Sequence, residues 1–164
     1  MTTHTVTPTN LRETFSHFPQ GVALLSAEID GAPLGLVAST LTVGVSLDPP
    51  LVSVAVQNSS ATWPTLRTAP ALGISLLGMH QSALARQLAS KDREHRFDGI
   101  DPDIAPDGAL TIPGSPARLW TRLHSELEAG DHTVALLEVL ESDDAAGTEA
   151  LVFHRSEFKG LRVS

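Results

Sequence analysis

Between Val22 and Gln57 the chain runs as "VALLSAEI", "GLVAST", "LTVGVSL" and "LVSVAVQ", short segments divided by Gly, Pro and Asp and by nothing long enough to be a helix. That succession constrains the fold more than any other feature. Strands that follow one another without a crossover must pair antiparallel, because a parallel return needs a dozen or more intervening residues. Asp30-Gly31 supplies the first reversal, a dipeptide that tolerates the positive φ of a tight hairpin turn.

The remaining segments fit the same picture. Asn10 as a cap, Glu13 three residues on, and Leu11, Phe15 and Phe18 at helical spacing predict a first helix that ends at Pro19 and packs on the strands after it. "WPTLRTAP" predicts a short helix, "ALGISLLG" a strand and "HQSALARQLAS" an amphipathic helix. Residues 98–116, crowded with Pro, Gly and Asp, read as a long surface loop with one short strand. In "PARLWTRLHSELEAG" helix propensity and period conflict. Ala117, Leu119, Thr121, Leu123, Ser125 and Leu127 alternate with Arg118, Trp120, Arg122, His124, Glu126 and Glu128, so a strand is expected. "TVALLEVLES" and the start of "ALVFHRSEFKGL" are strand-like as well. About seven strands with two or three helices imply a mainly β fold (α+β), an antiparallel barrel or sandwich with helices outside.

The chain of 164 residues is expected to form a single domain with a core of its own. It has no cysteine, so a disulfide framework, a thiolate metal site and a Cys nucleophile are excluded together, and a cytoplasmic address is expected. No membrane span and no secretory signal is read in it. With 11 basic against 19 acidic residues the formal charge is -8, which argues against sequence-independent nucleic-acid binding and means that a phosphate ligand needs a local site. No G-x-G-x-x-G, P-loop, H-E-x-x-H or G-x-S-x-G is present, and the seven histidines are scattered singly, so no metal site is expected.

The residues from Gly35 to Thr62 carry one charge, Asp48, and no Lys, Arg, Glu, Phe or Tyr. In "LVSVAVQ" Val52, Val54 and Val56 are expected to face the core and to leave Leu51, Ser53, Ala55 and Gln57 on the other face. Small side chains there let a flat ligand approach the backbone. Pro49-Pro50 stiffens the preceding loop and pushes Asp48 into an extended conformation. "NSSAT" places hydroxyls at the start of a predicted helix, a local phosphate site. The stretch therefore suits a planar heterocycle with a phosphate about twenty residues further along the chain.

The ordered set "FSHFPQGVALLSAEIDGAPLGLVASTLTVGVSLDPPLVSVAVQNSSATWPTL", "ALGISLLGMHQSALARQLAS", "HRFDGI" and "AGDHTVALLEV" resembles the flavin reductase-like family over roughly residues 11–160. The resemblance implies an FMN-binding split β-barrel with flanking helices, usually a homodimer with the flavin near the subunit interface. It also implies reduction of FMN or FAD by NADH or NADPH, and supply of the reduced flavin to a partner monooxygenase. Carried onto this chain, it places Val37, Ala38, Ser39 and Thr40 at the flavin ring or ribityl chain and the backbone of Ser46, Leu47 and Asp48 at the ring edge. Ala55, Val56 and Gln57 would line the ring, and Ser59, Ser60 and Thr62 would cradle the phosphate. Lys91 would be a second phosphate contact, with Arg93 and Arg96 as rivals, and His132 would lie on the nicotinamide side. Leu137 stands where relatives usually carry Gly, which is expected to narrow a neighbouring pocket. A non-catalytic flavin-binding protein on the same barrel is the alternative, since a fold and a site do not guarantee turnover.

Overall fold

A computed structural model describes residues 1–162. Its strands, in chain order, are β1 Gln20–Gly21, β2 Ala23–Ile29, β3 Ala32–Ala38, β4 Thr42–Leu47, β5 Pro50–Gln57 and β6 Leu72–Leu76. They continue as β7 Asp103–Ile104, β8 Leu110–Thr111, β9 Ala117–Ala129, β10 His132–Asp144, β11 Ala150–His154 and β12 Glu157–Leu161. The α-helices are α1 Pro8–Phe15, α2 Trp63–Leu66 and α3 Ser82–Leu88.

Seven strands form the main sheet in the order β3-β2-β6-β9-β10-β5-β4, every neighbouring pair antiparallel. All seven fall in segments that the sequence reads as strands. Asp30 and Gly31 join β2 to β3 with φ of 51° and 74°, the two positive values that a type I′ turn requires. Val52, Val54 and Val56 are 4%, 0% and 5% exposed and meet Leu25, Ile74 and Ala135 in one cluster, so the valine face of β5 is the core face. Because residues near both edges of the sheet share that cluster, the sheet curls into a barrel. Thr40 fastens the seam: its hydroxyl donates to the Ala55 carbonyl at 2.7 Å and accepts from the Ala55 N–H at 3.2 Å. The result is the split-barrel fold. A side sheet, β1-β11-β12, closes one end over Val22, Leu77 and Leu151.

Three expectations need correction. The first helix starts earlier than Asn10, because the Thr7 side chain accepts from the Asn10 N–H and Pro8 occupies the first turn, where its missing donor costs nothing. It also does not pack: α1 has no buried residue, and Phe15 and Phe18 are 59% and 67% exposed. The segment 98–116 is not only a surface loop. Ala109 to Ile112 are buried across the outer face of β2 and β6, with Ser26 donating to the Leu110 carbonyl at 2.8 Å and Ile112 N–H donating to Ser75 at 2.8 Å. Gly73 makes room for this layer, since a Cβ there would lie 1.9 Å from the Leu110 carbonyl oxygen. Finally, Leu137 is fully buried opposite Val52 and Leu123, with its side chain in the core, and does not line the cleft described below.

Candidate functional site

The end of β3, the end of β5 and the loop after β5 enclose a cleft of about 590 Å³. Val37 and Ala38 close β3 and lead into Ser39 and Thr40, which form one wall. The facing wall is Ala55, Val56 and Gln57. Val56 has its side chain in the core, so it offers the cleft its main chain, while Ala55 and Gln57 belong to the opposite face of the strand. Thr40 is already bonded to Ala55, so its hydroxyl serves the barrel seam. Small residues on both walls leave the backbone accessible to a flat molecule.

Ser59, Ser60, Ala61 and Thr62 line one end of the cleft together with Lys91, Arg93 and Arg96. From sequence, a helix start is the feature that would hold a phosphate there. The structure gives a different physical basis. Helix α2 is a single turn, and Ser60 Oγ already accepts from the N–H groups of Thr62 and Trp63 at 3.3 and 3.1 Å. Attraction for an anion therefore falls to the three cations. Arg96 donates to the carbonyls of Ser90 and Gly35 at 2.7 and 2.9 Å and to the Thr62 hydroxyl at 3.3 Å. Burial, reinforced by the neighbouring Arg93, pulls its pKa below the usual value, although an arginine stays charged there. Arg93 donates to the Ala61 carbonyl at 3.2 Å. Lys91 lines the same cavity and is exposed. Among the described residues no Asp or Glu lines this cleft, in a chain whose net charge is -8.

His132 is the first residue of β10 and pairs with Gln57. It comes after a two-residue turn in which Gly130 has φ 64°. Its Nδ1 lies 2.7 Å from the Asp131 carboxylate, and this hydrogen bond holds the Asp131 carboxyl below the usual carboxylate range. The contact occupies Nδ1 and leaves Nε2 as the ring nitrogen not engaged by the turn. Asn58, to which sequence reasoning assigns no role, locks this corner. Its N–H donates to the Asp131 carbonyl at 2.9 Å, its amide NH₂ to the Gly130 carbonyl at 3.3 Å, and its side-chain oxygen accepts from Thr133 at 2.8 Å. An Asn beside a hydroxyl-rich loop is the only signal in the sequence, and its partners lie more than seventy residues away.

Ser46, Leu47 and Asp48 are not brought into the cleft. They form the tip of the β4–β5 hairpin, where Ser46 pairs with Leu51, several residues along β5 from Ala55. A second groove, of about 390 Å³, adjoins the cleft and shares Gln57 and Ser60 with it. Its cation is paired within the protein: Arg67 and the Trp63 indole N–H both donate to the Glu126 carboxylate, the latter at 2.9 Å, and Glu128 adds a second carboxylate to the lining.

A split barrel with a small-residue cleft and a cationic end defines a class of protein that binds a planar ring carrying phosphate. Residues 15–162 match the flavin reductase like domain family, and the chain belongs to that family. A flavin reductase of Pseudomonas putida is 32% identical over 95% of this chain and 91% of its own length. The reductase subunit HsaB of a flavin-dependent monooxygenase of Rhodococcus jostii is 27% identical over 95% of this chain and 79% of its own length. Among solved structures, the NADH:FAD oxidoreductase of Streptomyces globisporus superposes with a TM-score of 0.86 at 31% identity, covering 96% of both chains.

Proposed function

We propose that this protein is an NAD(P)H:flavin oxidoreductase that transfers a hydride from a reduced nicotinamide to FMN or FAD and passes the reduced flavin to a partner monooxygenase. The observation that carries the reading is the cleft itself, which joins two small-residue walls to three cations and, among the described residues, no carboxylate within an acidic protein. The residues present fit a flavin nucleotide. Ser39, Ala55 and Gln57 bound the space for the ring, and Ser59, Ser60, Lys91 and Arg96 surround the place for its phosphate.

When bound, the flavin supplies a two-electron acceptor, and the hydride chemistry belongs to the cofactors rather than to any side chain. The protein contributes position and electrostatics. Ala55, Val56 and Gln57 line the ring space, and Lys91 and Arg96 would hold the phosphate at its end. His132, held by Asp131 in a turn that Asn58 fixes, lines the cleft together with Gln57, where it would meet the nicotinamide carboxamide. It moves no proton in this scheme. NADH is taken as the donor on the likeness to the NADH:FAD oxidoreductase of Streptomyces globisporus.

The same reading includes a homodimer in the cytoplasm. Val43, Val45 and Leu47 on the sheet-edge strand β4 are 61%, 43% and 88% exposed, an apolar edge that invites cover by a second copy. In such a dimer Ser46, Leu47 and Asp48 are available to the ring edge in the other subunit's cleft. Light scattering of the purified chain tests the dimer, and a monomer at working concentration removes this role for the hairpin.

The enzymatic reading is tested by following NADH and NADPH oxidation with added FMN or FAD. Flavin-dependent oxidation is expected. Bound flavin with no turnover would sink the reductase reading and leave a non-catalytic flavin carrier.

A further inference from the structure

Beyond the phosphate end of the cleft lies another cavity, of about 530 Å³, lined by Leu34, Lys91, Asp92, Arg93 and Glu94. Lys91 and Arg93 line both spaces, so two cations stand at the border between them. Arg93 is anchored to the loop through its bond to the Ala61 carbonyl at 3.2 Å, and most of a guanidinium's five N–H donors stay available after one such bond. Arg96, by contrast, has three partners already.

The chemistry changes across that border. The inner side carries hydroxyls and cations without a carboxylate. The outer side adds the apolar Leu34 and the carboxylates of Asp92 and Glu94, with Asp92 engaged by His95 at 2.9 Å. Carboxylates repel a phosphate, yet they accept well from sugar hydroxyls and from an exocyclic amine. The order along the surface is thus ring, first phosphate, two cations, then an apolar and acidic space suited to a nucleoside.

We propose that the outer cavity takes the adenosine of FAD, with Lys91 and Arg93 on its second phosphate, so that this chain prefers FAD to FMN. The proposal rests on the flavin reading above and deepens it. Nicotinamide dinucleotides also carry an adenosine diphosphate group, but the observations favour the flavin. The second phosphate of FAD is joined to the first through one bridging oxygen, which places it next to Ser59–Thr62, on the side that Lys91 and Arg93 border. His132, the nicotinamide contact, belongs instead to the β5–β10 side of the inner cleft.

The test is a set of fluorescence titrations with riboflavin, FMN and FAD, and steady-state kinetics in NADH, for the wild type, Arg93→Ala and Leu34→Trp. The wild type is expected to bind FAD at least about tenfold more tightly than FMN, the scale of one or two charge-assisted hydrogen bonds. Arg93→Ala, at an exposed position, is expected to remove most of that excess. Leu34→Trp fills the outer cavity and removes it too, with riboflavin affinity held within about twofold. ADP is expected to displace FAD and not riboflavin. Equal wild-type affinities for FMN and FAD overturn the proposal, as does an Arg93→Ala variant that weakens both alike. Competition of ADP with NADH alone assigns the cavity to the nicotinamide dinucleotide and overturns it as well. Failure to bind riboflavin, FMN and FAD together is a different result, because it removes the flavin reading itself.

Discussion

Two hollows meet at Gln57 and Ser60, and each contains arginine, yet they behave differently. In the groove beside Trp63, Arg67 and the indole N–H converge on Glu126, so the arginine's charge is neutralised within the protein, and Glu128 lines the groove as well. In the cleft beside Ala55, among the described residues, Arg93 and Arg96 bond to carbonyls and a hydroxyl, and no carboxylate lines the space that they share with Lys91. Net charge is therefore a poor guide to ligand preference. An acidic chain can hold a phosphate wherever its cations lack acidic partners.

The largest effect is expected from filling the cleft. Ala55→Phe places a large side chain between the two walls, and flavin affinity should fall by at least about a hundredfold while the valine face of β5 keeps the barrel folded. Flavin titration and circular dichroism on the same sample check this, and tight flavin binding by the variant would show that the ring does not lie against β5. Arg96→Ala comes next, because it removes a partly buried cation from two carbonyls and Thr62. A loss of about 2 kcal/mol in stability is expected, with weaker flavin binding, and Lys should not rescue it. Denaturant unfolding measures the first part. His132→Ala should raise KM for NADH about tenfold and leave the flavin dissociation constant unchanged. Unaltered nicotinamide kinetics would take His132 out of the site.

The groove should respond least. Glu126→Gln keeps an acceptor for the Trp63 indole and loses only a half-exposed ion pair, so a cost of at most about 1 kcal/mol is expected, with flavin turnover unaffected. Its pH dependence has a definite sign. The Arg67 hydrogen bond, assisted by Trp63 and opposed by desolvation, holds the Glu126 carboxyl below the usual range. A group whose pKa is lowered by folding contributes stability above its unfolded value, about 4.3 for Glu, and that contribution fades as pH falls through the lower folded value. The melting temperatures of wild type and Glu126→Gln should accordingly converge in acid. A gap that widened as pH fell would contradict the clamp.

Much of the fold is legible in the sequence because its signals are local. Alternation in residues 117–128 outweighs helix propensity, and β9 is indeed a strand of 13 residues paired on both sides. The run "VALLSA" is apolar because β2 is buried on both faces, Leu25 toward the barrel core and Leu24 beneath the layer formed by Leu110 and Ile112. That outer layer is not legible. Pro, Gly and Asp around it signal a loop, and nothing local says that a loop will cover Gly73 and Ser75. The start of the first helix differs by a few residues because Asn10 can cap as well as Thr7, and only the chain path selects between them.

Residue type and a period of two are enough to specify the antiparallel strand succession, the valine face of β5, the small-residue walls and the hydroxyls of Ser59, Ser60 and Thr62. Which cations reach that loop is settled only by the folded chain. Arg93 meets Ala61 and Arg96 meets Gly35 across 32 and 61 residues of chain, and Asn58 fixes the His132 turn across 72. Such contacts depend on how strands close into a barrel, which is fixed by the burial of the whole core. No short window of residues contains that information.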